Sequence, residues 1–285
     1  MSIAADVQKR ISMPRSFEPH PLVDQAAWVR QLSEPNQLVK LRISTLGACA
    51  KQTAYNIRGV VPSRPTSYHS RCGWASGDWW ESWLLLAFTN ASECEWHLTD
   101  TQTPVILRSE ARGVPLCIPG SVDALIHNYT DYAVLECKSL SLYAYKEYKK
   151  REAAGKPVWD KSDSYWWQAQ GYLHGLGEYY TRTYVLYGCK ESGHIGGFWL
   201  DKDPAFPRML QTHLDRVHSL VPPNTLPCGK TLVPSRLKRS EGRYPWQCSW
   251  CDHHPVCLPN TQSVEELDYR GLPTTRLYLR NDAGF

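Results

Sequence analysis

Short apolar runs separated by tight connections in the middle of the chain do most to limit its fold. These runs are Val114–Ile118, Ser121–Ile126 and Tyr132–Ser139, and they are separated by Pro119-Gly120 and by His127–Asp131. Connections this short join antiparallel strands, because a parallel pair needs a crossover of a dozen or more residues. The sequence therefore predicts antiparallel strands joined by turns over this region.

Helical patterns lie on both sides of these strands. Arg42–Tyr55 reads as a helix that opens at Ser44, and the dense apolar residues of Gly77–Thr89 predict a buried helix. The elements predicted downstream are a helix over Ser164–His174 that ends at Gly175 and Gly177, strands at Thr183–Tyr187 and Ile195–Leu200, and a helix over Ala205–Leu220. The mixture of strands and helices predicts an α/β fold.

Proline content sets the expected organisation of the chain. Residues 1–40 contain Pro14, Pro19, Pro21 and Pro35 among polar residues, which predicts a loosely ordered lead-in with one short helix near Val23–Leu32. We expect a single domain over residues 41–260 and a tail over residues 261–285.

Charge and cysteine content limit which cellular compartment and which binding partners are expected. Lys and Arg number 32 against 28 Asp and Glu, and the formal charge of +4 permits a nucleic-acid partner without requiring one. No signal-peptide pattern is seen at the N-terminus, and Trp83–Phe88 is too short to span a bilayer. Ten cysteines in such a chain indicate metal ligation or reduced thiols. We expect a cytoplasmic protein without a membrane partner.

Two carboxylates and a lysine fall on the adjacent strands. Alternation along Tyr132–Ser139 sends Glu136 and Lys138 to one face and the Cys137 side chain to the other, and the turn brings Asp123 alongside. Paired carboxylates, aided by the Cys137 carbonyl, are ligands for a hard cation such as Mg²⁺ or Mn²⁺. Such an ion supports phosphodiester hydrolysis, with Lys138 orienting water or stabilising charge. Taken alone, a Glu-x-Lys pair is more typical of a solvated sheet face with an ion pair.

The helix that follows carries a recognisable motif. Gln168 and Tyr172 stand four residues apart, so both project from one helical face. This segment resembles the Q-x-x-x-Y helix of the RecB-like branch of the PD-(D/E)xK nucleases, and the order from Asp123 through Glu136 and Lys138 is also that of the family. Gly77–Glu81 is similar to the first helix motif of the family.

The resemblance implies a fold, an activity and further ligands. The implied fold is a restriction-endonuclease-like core, a short mixed sheet flanked by helices, with a C-terminal cysteine loop. Glu81 would be a third acidic metal ligand, with Asp78 as the competing candidate and a purely structural helix residue as the other explanation. The implied activity is that of a Mg²⁺- or Mn²⁺-dependent deoxyribonuclease. An exonuclease that acts on single-stranded DNA or DNA ends is expected rather than an endonuclease. A bacterial or phage-infected cell is the implied setting.

The cysteine loop at the end of the domain predicts a second inorganic site. The spacing Cys248-x2-Cys251-x5-Cys257 suits a metal ion or an iron–sulfur cluster. In the iron–sulfur members of the RecB-like branch a lone N-terminal cysteine completes the set, and Cys49 resembles it, which implies a [4Fe–4S] cluster. A Zn²⁺ site is the alternative, since Cys228, His253 and His254 provide other ligands.

The basic segment Tyr143–Asp163 separates the lysine strand from the Gln168 helix. Its lysines Lys146, Lys149 and Lys150 alternate with tyrosines, which suits a phosphate track with stacking platforms as well as a solvated loop. No helicase P-loop is present, so a helicase or a recombination or annealing protein is an expected partner. The rival functions are a non-catalytic DNA-end-binding or assembly protein, a metal-stabilised protein-interaction module, and a nuclease acting on RNA.

Overall fold

The structure is a computed structural model that describes residues 41–57, 68–91, 94–220, 251, 253, 257, 261–267 and 273–279. The predicted lead-in over residues 1–40, with its helix near Val23–Leu32, lies outside these residues. The described chain divides into two compact units, of which the first contains residues 41–48 and 68–212 and the second contains residues 49–57 and those from 213 onward.

The first unit is built around a five-stranded sheet. Its elements are a 3₁₀ helix Ile43–Thr45, α2 (Tyr68–Thr89), β1 (His97–Ala111), β2 (Val114–His127), β3 (Tyr132–Leu140), α3 (Leu142–Ala153), α4 (Ser164–Leu176), β4 (Tyr180–Cys189), β5 (Ile195–Asp201) and the start of α5 (Phe206–Leu220). The strands stand in the order β1-β2-β3-β4-β5, and only the β3–β4 pair is parallel. This arrangement confirms the predicted α/β class, a mixed central sheet flanked by helices, and is consistent with a restriction-endonuclease-like core.

Helix α2 covers one face of the sheet. Trp80 and Leu84 on the helix belong to one buried apolar cluster with Leu135, Cys137 and Leu186 on the strands. Because side chains alternate along a strand, Glu136 and Lys138 on β3 then project from the opposite face. Helix α4 contacts strands β1 to β4. The apolar side chains of β3 that face α2 therefore place Glu136 and Lys138 on the other face of the strand, toward α4.

Strands β1 and β2 form a long hairpin that the sequence predicted only in part. Strand β1 was not predicted, and the expected break at Pro119-Gly120 is wrong because β2 runs through it. Strand β3 pairs with β2 only from Ala124 to His127, so at Pro119 that edge of β2 has no partner among the described strands. Proline is tolerated at an edge because it lacks only the N–H that a partner would have used.

Several helix bounds differ from the prediction. The helix expected to open at Ser44 is instead a 3₁₀ turn followed by α1 (Ala50–Ile57). The break is at Gly47, where a Cβ atom would lie 2.4 Å from the Cα of Ser164. The segment expected as a basic excursion over Tyr143–Asp163 begins with helix α3, whose N-terminus is capped by the Ser141 hydroxyl.

The second unit contains α1, the end of α5 and a two-stranded sheet. Ala54 on α1 packs against Val217 and Leu220 on α5. Strands β6 (Thr261–Leu267) and β7 (Pro273–Leu279) pair antiparallel, within the segment expected to be a tail. None of the described helices is long and apolar enough to cross a bilayer.

Candidate active site

Asp123 lies where the pairing of β2 is interrupted on both sides. The β1–β2 register passes from Thr101 opposite Ala124 to Thr103 opposite Val122, which leaves Gln102 and Asp123 out of the ladder. On the other side, the β2–β3 register ends at Ala124 opposite Leu135. The Asp123 carboxylate compensates by accepting a hydrogen bond of 2.7 Å from the backbone N–H of Cys137. The strands therefore separate where Asp123 and Glu136 would be paired.

Glu136 is the centre of a hydrogen-bonded group on the α4 side of β3. Its Oε1 atom accepts hydrogen bonds from the Lys138 ammonium at 2.5 Å and from the Gln168 amide at 2.8 Å. The same amide donates to the Tyr172 hydroxyl at 3.1 Å. Glu136 is 1% exposed and Lys138 is 17% exposed, so the ion pair stands at the inner end of an open site. The structure thus brings Asp123, Glu136, Lys138, Gln168 and Tyr172 together.

Glu81 approaches the same group from α2 and is held by residues that the sequence did not reveal. Gln102 donates a hydrogen bond of 2.6 Å to the Glu81 carboxylate, and its own carbonyl accepts one of 3.2 Å from the Ser121 hydroxyl. Gln102 has a positive φ of 51°, a backbone conformation that few residues other than Gly, Asn and Asp adopt. Because the strands are interrupted here, Gln102 turns toward Glu81. Asp78, the competing candidate, is exposed.

The carboxylates are close enough to alter one another's protonation. Burial, followed by repulsion from Glu136, raises the pKa of Glu81 to about 7. The same causes raise the pKa of Asp123 well above its ordinary value. Burial alone would lower the pKa of Lys138, but attraction to Glu136 and Asp123 outweighs it and raises the pKa. The site is therefore rich in negative charge that one ammonium does not neutralise.

The donor set fits a hard cation chemically. The Oε2 atom of Glu136 is buried and has no hydrogen-bond partner among the residues that the structure describes, and a cation is one group that can satisfy such an oxygen. As the side chains stand, no group of three or more His, Cys, Asp or Glu residues in the described part of the chain has the spacing of a metal site. One oxygen each of Glu81, Asp123 and Glu136 accepts a hydrogen bond from a protein donor.

The basic residues of the insertion lie on α3. Lys146, Lys149 and Lys150 are exposed on this helix, and Lys149 forms an ion pair with Glu152. None of them makes a described contact with the carboxylate group. The insertion instead approaches the site through aromatic residues, and Tyr165 at the start of α4 lies beside Lys138.

Two of the predicted cysteine ligands interact within the second unit. Burial raises the pKa of the Cys257 thiol, the nearby Lys51 ammonium lowers it, and Cys49 raises it further. Cys49 is exposed, whereas Cys251 and Cys257 are half-buried. Cys248 lies outside the described residues, so the set of four cysteine ligands stays a prediction.

The histidine that would serve a zinc site has a defined partner in the same unit. His253 is buried, and its Nε2 atom lies 2.8 Å from the Asn56 side-chain oxygen. Its ring also packs on Tyr55 at 5.3 Å. The other residues of the zinc alternative, Cys228 and His254, lie outside the described chain.

Comparison with known proteins finds resemblance in structure alone. No family model matches the chain, and no curated protein matches it. The crystal structure of SSO0001 is similar over 90% of this chain and 94% of its own, with 13% sequence identity and a TM-score of 0.43.

Two crystal structures of the exonuclease LHK-Exo are similar to a comparable degree. LHK-Exo in complex with dAMP matches 65% of this chain and 89% of its own, with 12% identity and a TM-score of 0.44. The alkaline exonuclease LHK-Exo from Laribacter hongkongensis matches 69% of this chain and 92% of its own, with 11% identity and a TM-score of 0.41.

Proposed function

We propose that this chain is a metal-dependent deoxyribonuclease of the PD-(D/E)xK class that hydrolyses phosphodiester bonds with Mg²⁺ or Mn²⁺. One observation carries the proposal: the sheet opens at Asp123 and Glu136, and the ammonium of Lys138 and the amide of Gln168 both contact the same oxygen of Glu136. Carboxylates, a lysine and an amide gathered in this way are the groups that phosphodiester hydrolysis needs.

Glu81, Asp123 and Glu136, with the main-chain carbonyl of Cys137, are the proposed ligands of the catalytic ion. When bound, a divalent cation supplies a Lewis acid for the phosphoryl oxygens and lowers the pKa of a bound water. The raised pKa values of Glu81 and Asp123 support this assignment, because carboxylates that crowd together favour a positive charge between them. The cation would take the place that a proton otherwise fills.

The remaining residues of the site position charge and exclude water. Lys138 stands beside the buried carboxylate, where its ammonium can donate to an attacking water or to a non-bridging phosphate oxygen. Gln168 fixes the rotamer of Glu136, and the Tyr172 hydroxyl fixes Gln168 in turn. Tyr172 is 3% exposed, so it excludes solvent from the inner side of this group.

Single-stranded DNA or a DNA end is the proposed substrate, and exonucleolytic cleavage is the proposed mode. The exposed lysines Lys146, Lys149 and Lys150 on α3 are the proposed contacts to the phosphate backbone. We propose a cytoplasmic setting and a helicase or a recombination or annealing protein as partner, since the chain carries no P-loop of its own.

A [4Fe–4S] cluster held by Cys49, Cys248, Cys251 and Cys257 is the proposed structural cofactor, and Zn²⁺ is its alternative. The contribution of the nearby Cys49 to the raised pKa of Cys257 supports a shared site. Because ligands from distant parts of the sequence would be joined, the binding energy of the cluster would be folding energy. We expect no redox step in the cleavage reaction.

The test compares wild type with Lys138→Met and with Lys190→Met, a matched control at an exposed lysine outside the site. Protein purified without oxygen would be given 5′- and 3′-labelled DNA, single- and double-stranded, and RNA, with Mg²⁺, Mn²⁺ or EDTA. We expect metal-dependent cleavage of DNA by wild type and the control and at least a hundredfold loss in Lys138→Met, in the range of a lost electrostatic contact of about 3 kcal/mol.

The same assay separates the rivals. Cleavage confined to RNA contradicts the DNA assignment, and binding of DNA ends without cleavage by any protein supports the assembly role instead. Equal cleavage by Lys138→Met and wild type overturns the site. Cleavage of circular single-stranded DNA at the rate of the linear form contradicts the exonuclease mode.

A further inference from the structure

Lys138 is held from two sides, and the second side is an aromatic ring. One contact is the ion pair with Glu136, and the other is the ring of Tyr165, whose centroid lies 5.0 Å from the Lys138 Nζ atom. This distance is within the range in which an ammonium is attracted to the face of an aromatic ring. Tyr165 is 42% exposed, so its ring borders the open side of the site.

Residues of the insertion, Tyr143–Asp163, support the ring of Tyr165. It packs at 5.3 Å on Trp159, which is 1% exposed, and Trp159 packs edge-on to Phe198 at 5.3 Å. The indole N–H of Trp159 donates a hydrogen bond of 2.7 Å to the Tyr148 hydroxyl. Tyr148 in turn packs edge-on to Tyr187 at 5.4 Å. These contacts fix the ring from α3, the loop that follows α3, and the sheet.

We propose that Tyr165 is a positioning residue that keeps the ammonium of Lys138 at its working place beside Glu136. A lysine side chain is flexible, and an ion pair alone leaves its approach direction free. A fixed ring face on the second side restricts that direction. The kinetic part of this inference rests on the proposed nuclease function, whereas the position of the ammonium does not.

The main function of the insertion follows from this assignment. Its half-buried Tyr148 and buried Trp159 support Tyr165, and Tyr165 supports Lys138, so the segment between β3 and α4 completes the site from outside the sheet. Removing the insertion would leave the carboxylates in place and release the lysine.

The first test observes the lysine directly and needs no substrate. In proton–nitrogen spectra that select lysine ammonium groups, the Lys138 signal, assigned by its loss in Lys138→Met, should be displaced upfield by the ring current of Tyr165. We expect Tyr165→Phe to keep the displacement and Tyr165→Leu to abolish it. An undisplaced signal in wild type, or a signal unchanged in Tyr165→Leu, overturns the proposal.

The second test measures cleavage by the same variants. Tyr165→Leu should lower kcat by about five- to thirtyfold, the factor that corresponds to the usual strength of a partly buried cation–π contact, with KM changed by less than about twofold. Tyr165→Phe should restore the rate. Tyr179→Leu, at a tyrosine that is 83% exposed, is the matched control and should behave as wild type.

Outcomes of the second test separate this inference from the proposed function. If the wild-type protein is inactive, the nuclease assignment is refuted. The spectra of the first test then still show whether Tyr165 positions Lys138. If wild type is active and Tyr165→Leu is equally active, the positioning role alone is overturned. The positioning role is also overturned if Tyr165→Leu raises KM and this rise disappears on DNA that lacks the base beside the cleaved bond, because Tyr165 would then contact the substrate base. If Tyr165→Leu does not fold, Tyr148→Phe, which removes the acceptor of the Trp159 N–H, should still lower kcat.

Discussion

The Asp123 carboxylate replaces a backbone partner for Cys137, because its Oδ2 atom accepts the Cys137 N–H beyond the point where the β2–β3 ladder ends. One acidic side chain thus closes the end of a ladder and provides negative charge to the site. The structural and electrostatic contributions of Asp123 are separable, since only the second requires an ionised group.

Asparagine and alanine at position 123 should therefore have different effects on stability. Asp123→Asn keeps an acceptor for the Cys137 N–H and relieves repulsion from Glu136, so the free energy of unfolding should stay within about 1 kcal/mol of wild type. Asp123→Ala leaves a buried N–H unsatisfied and should lose about 1 to 3 kcal/mol. Urea unfolding measures both. Equal loss in the two variants would show that the hydrogen bond to Cys137 is unimportant, and both variants should lack cleavage activity.

The metal-free protein should lose stability as the pH rises from about 4.5 to about 7. The pKa of Glu81 is 4.5 when unperturbed and about 7 in the folded chain, so the folded state binds its proton more tightly. The stability that this proton contributes is fully present below the unperturbed pKa of 4.5 and is lost as the pH rises through the folded-state pKa of about 7. Asp123, whose pKa is also raised, acts in the same direction.

Thermal unfolding of wild type and Glu81→Gln between pH 4 and pH 8 in EDTA provides the measurement. The decline should be shallower in the variant, whose midpoint should exceed that of wild type at pH 8. Glu110→Gln, at an exposed position of β1, serves as the control and should follow wild type. If Glu81→Gln declines as steeply as wild type, Glu81 does not carry the raised pKa.

Gln168 should affect catalysis through its hydrogen bond to Glu136. Gln168→Leu keeps the volume but removes the hydrogen bonds to Glu136 and Tyr172, which leaves the carboxylate free to rotate. We expect kcat to fall by about ten- to a hundredfold, the cost of about 1 to 3 kcal/mol for a lost hydrogen bond to a charged group. Steady-state kinetics measures it. A change confined to KM would instead indicate that Gln168 contacts the substrate.

Glycine at position 47 should be irreplaceable because α4 passes too close. The added methyl group of Gly47→Ala would lie 2.4 Å from the Cα of Ser164, and backbone cannot move as a side-chain end can. Overpacking of this kind costs about 1 to 3 kcal/mol. Gly77→Ala is the comparison, since its methyl group meets only the Ser139 hydroxyl at 3.9 Å and its place in α2 favours alanine. In denaturant unfolding, Gly47→Ala should lower the free energy of unfolding and Gly77→Ala should raise it.

Loss of one thiolate should test the cysteine site. Cys49→Ala should release bound metal and lower the unfolding midpoint, whereas Cys117→Ala, an exposed cysteine of β2, should do neither. Metal analysis of anaerobic protein distinguishes iron with sulfide from zinc, and only the cluster gives visible absorbance because Zn²⁺ is d¹⁰. Wild type without iron or zinc would contradict both assignments.

The core of the candidate site could be derived from sequence because strand geometry is periodic. Alternation fixed Glu136 and Lys138 on one face, and the short turn to β2 brought Asp123 beside them. Gln168 and Tyr172 were identified by their resemblance to the Q-x-x-x-Y motif, and helical spacing placed both on one face. These relationships depend on local geometry and nearest neighbours, and the structure brings these residues together.

Residues positioned by irregular backbone were not accessible in this way. Gln102 reaches Glu81 from a strand interruption with positive φ, which no periodic pattern describes. Pro119 was read as a turn because its place at an unpaired edge of β2 depends on where β3 ends. Tyr165, however, stands three residues before Gln168 and seven before Tyr172, so the same helical spacing would have placed it on their face.

The turn at Arg112-Gly113 gives the long hairpin a practical use. Both residues have positive φ, 49° and 76°, which is the tight turn that suits a two-residue β-hairpin. At about 3.3 Å per residue, the turn lies about 30 Å along β2 from Asp123. A fluorescent label or affinity tag inserted at this tip would report on the protein during a reaction while remaining outside the reach of the cleaved strand.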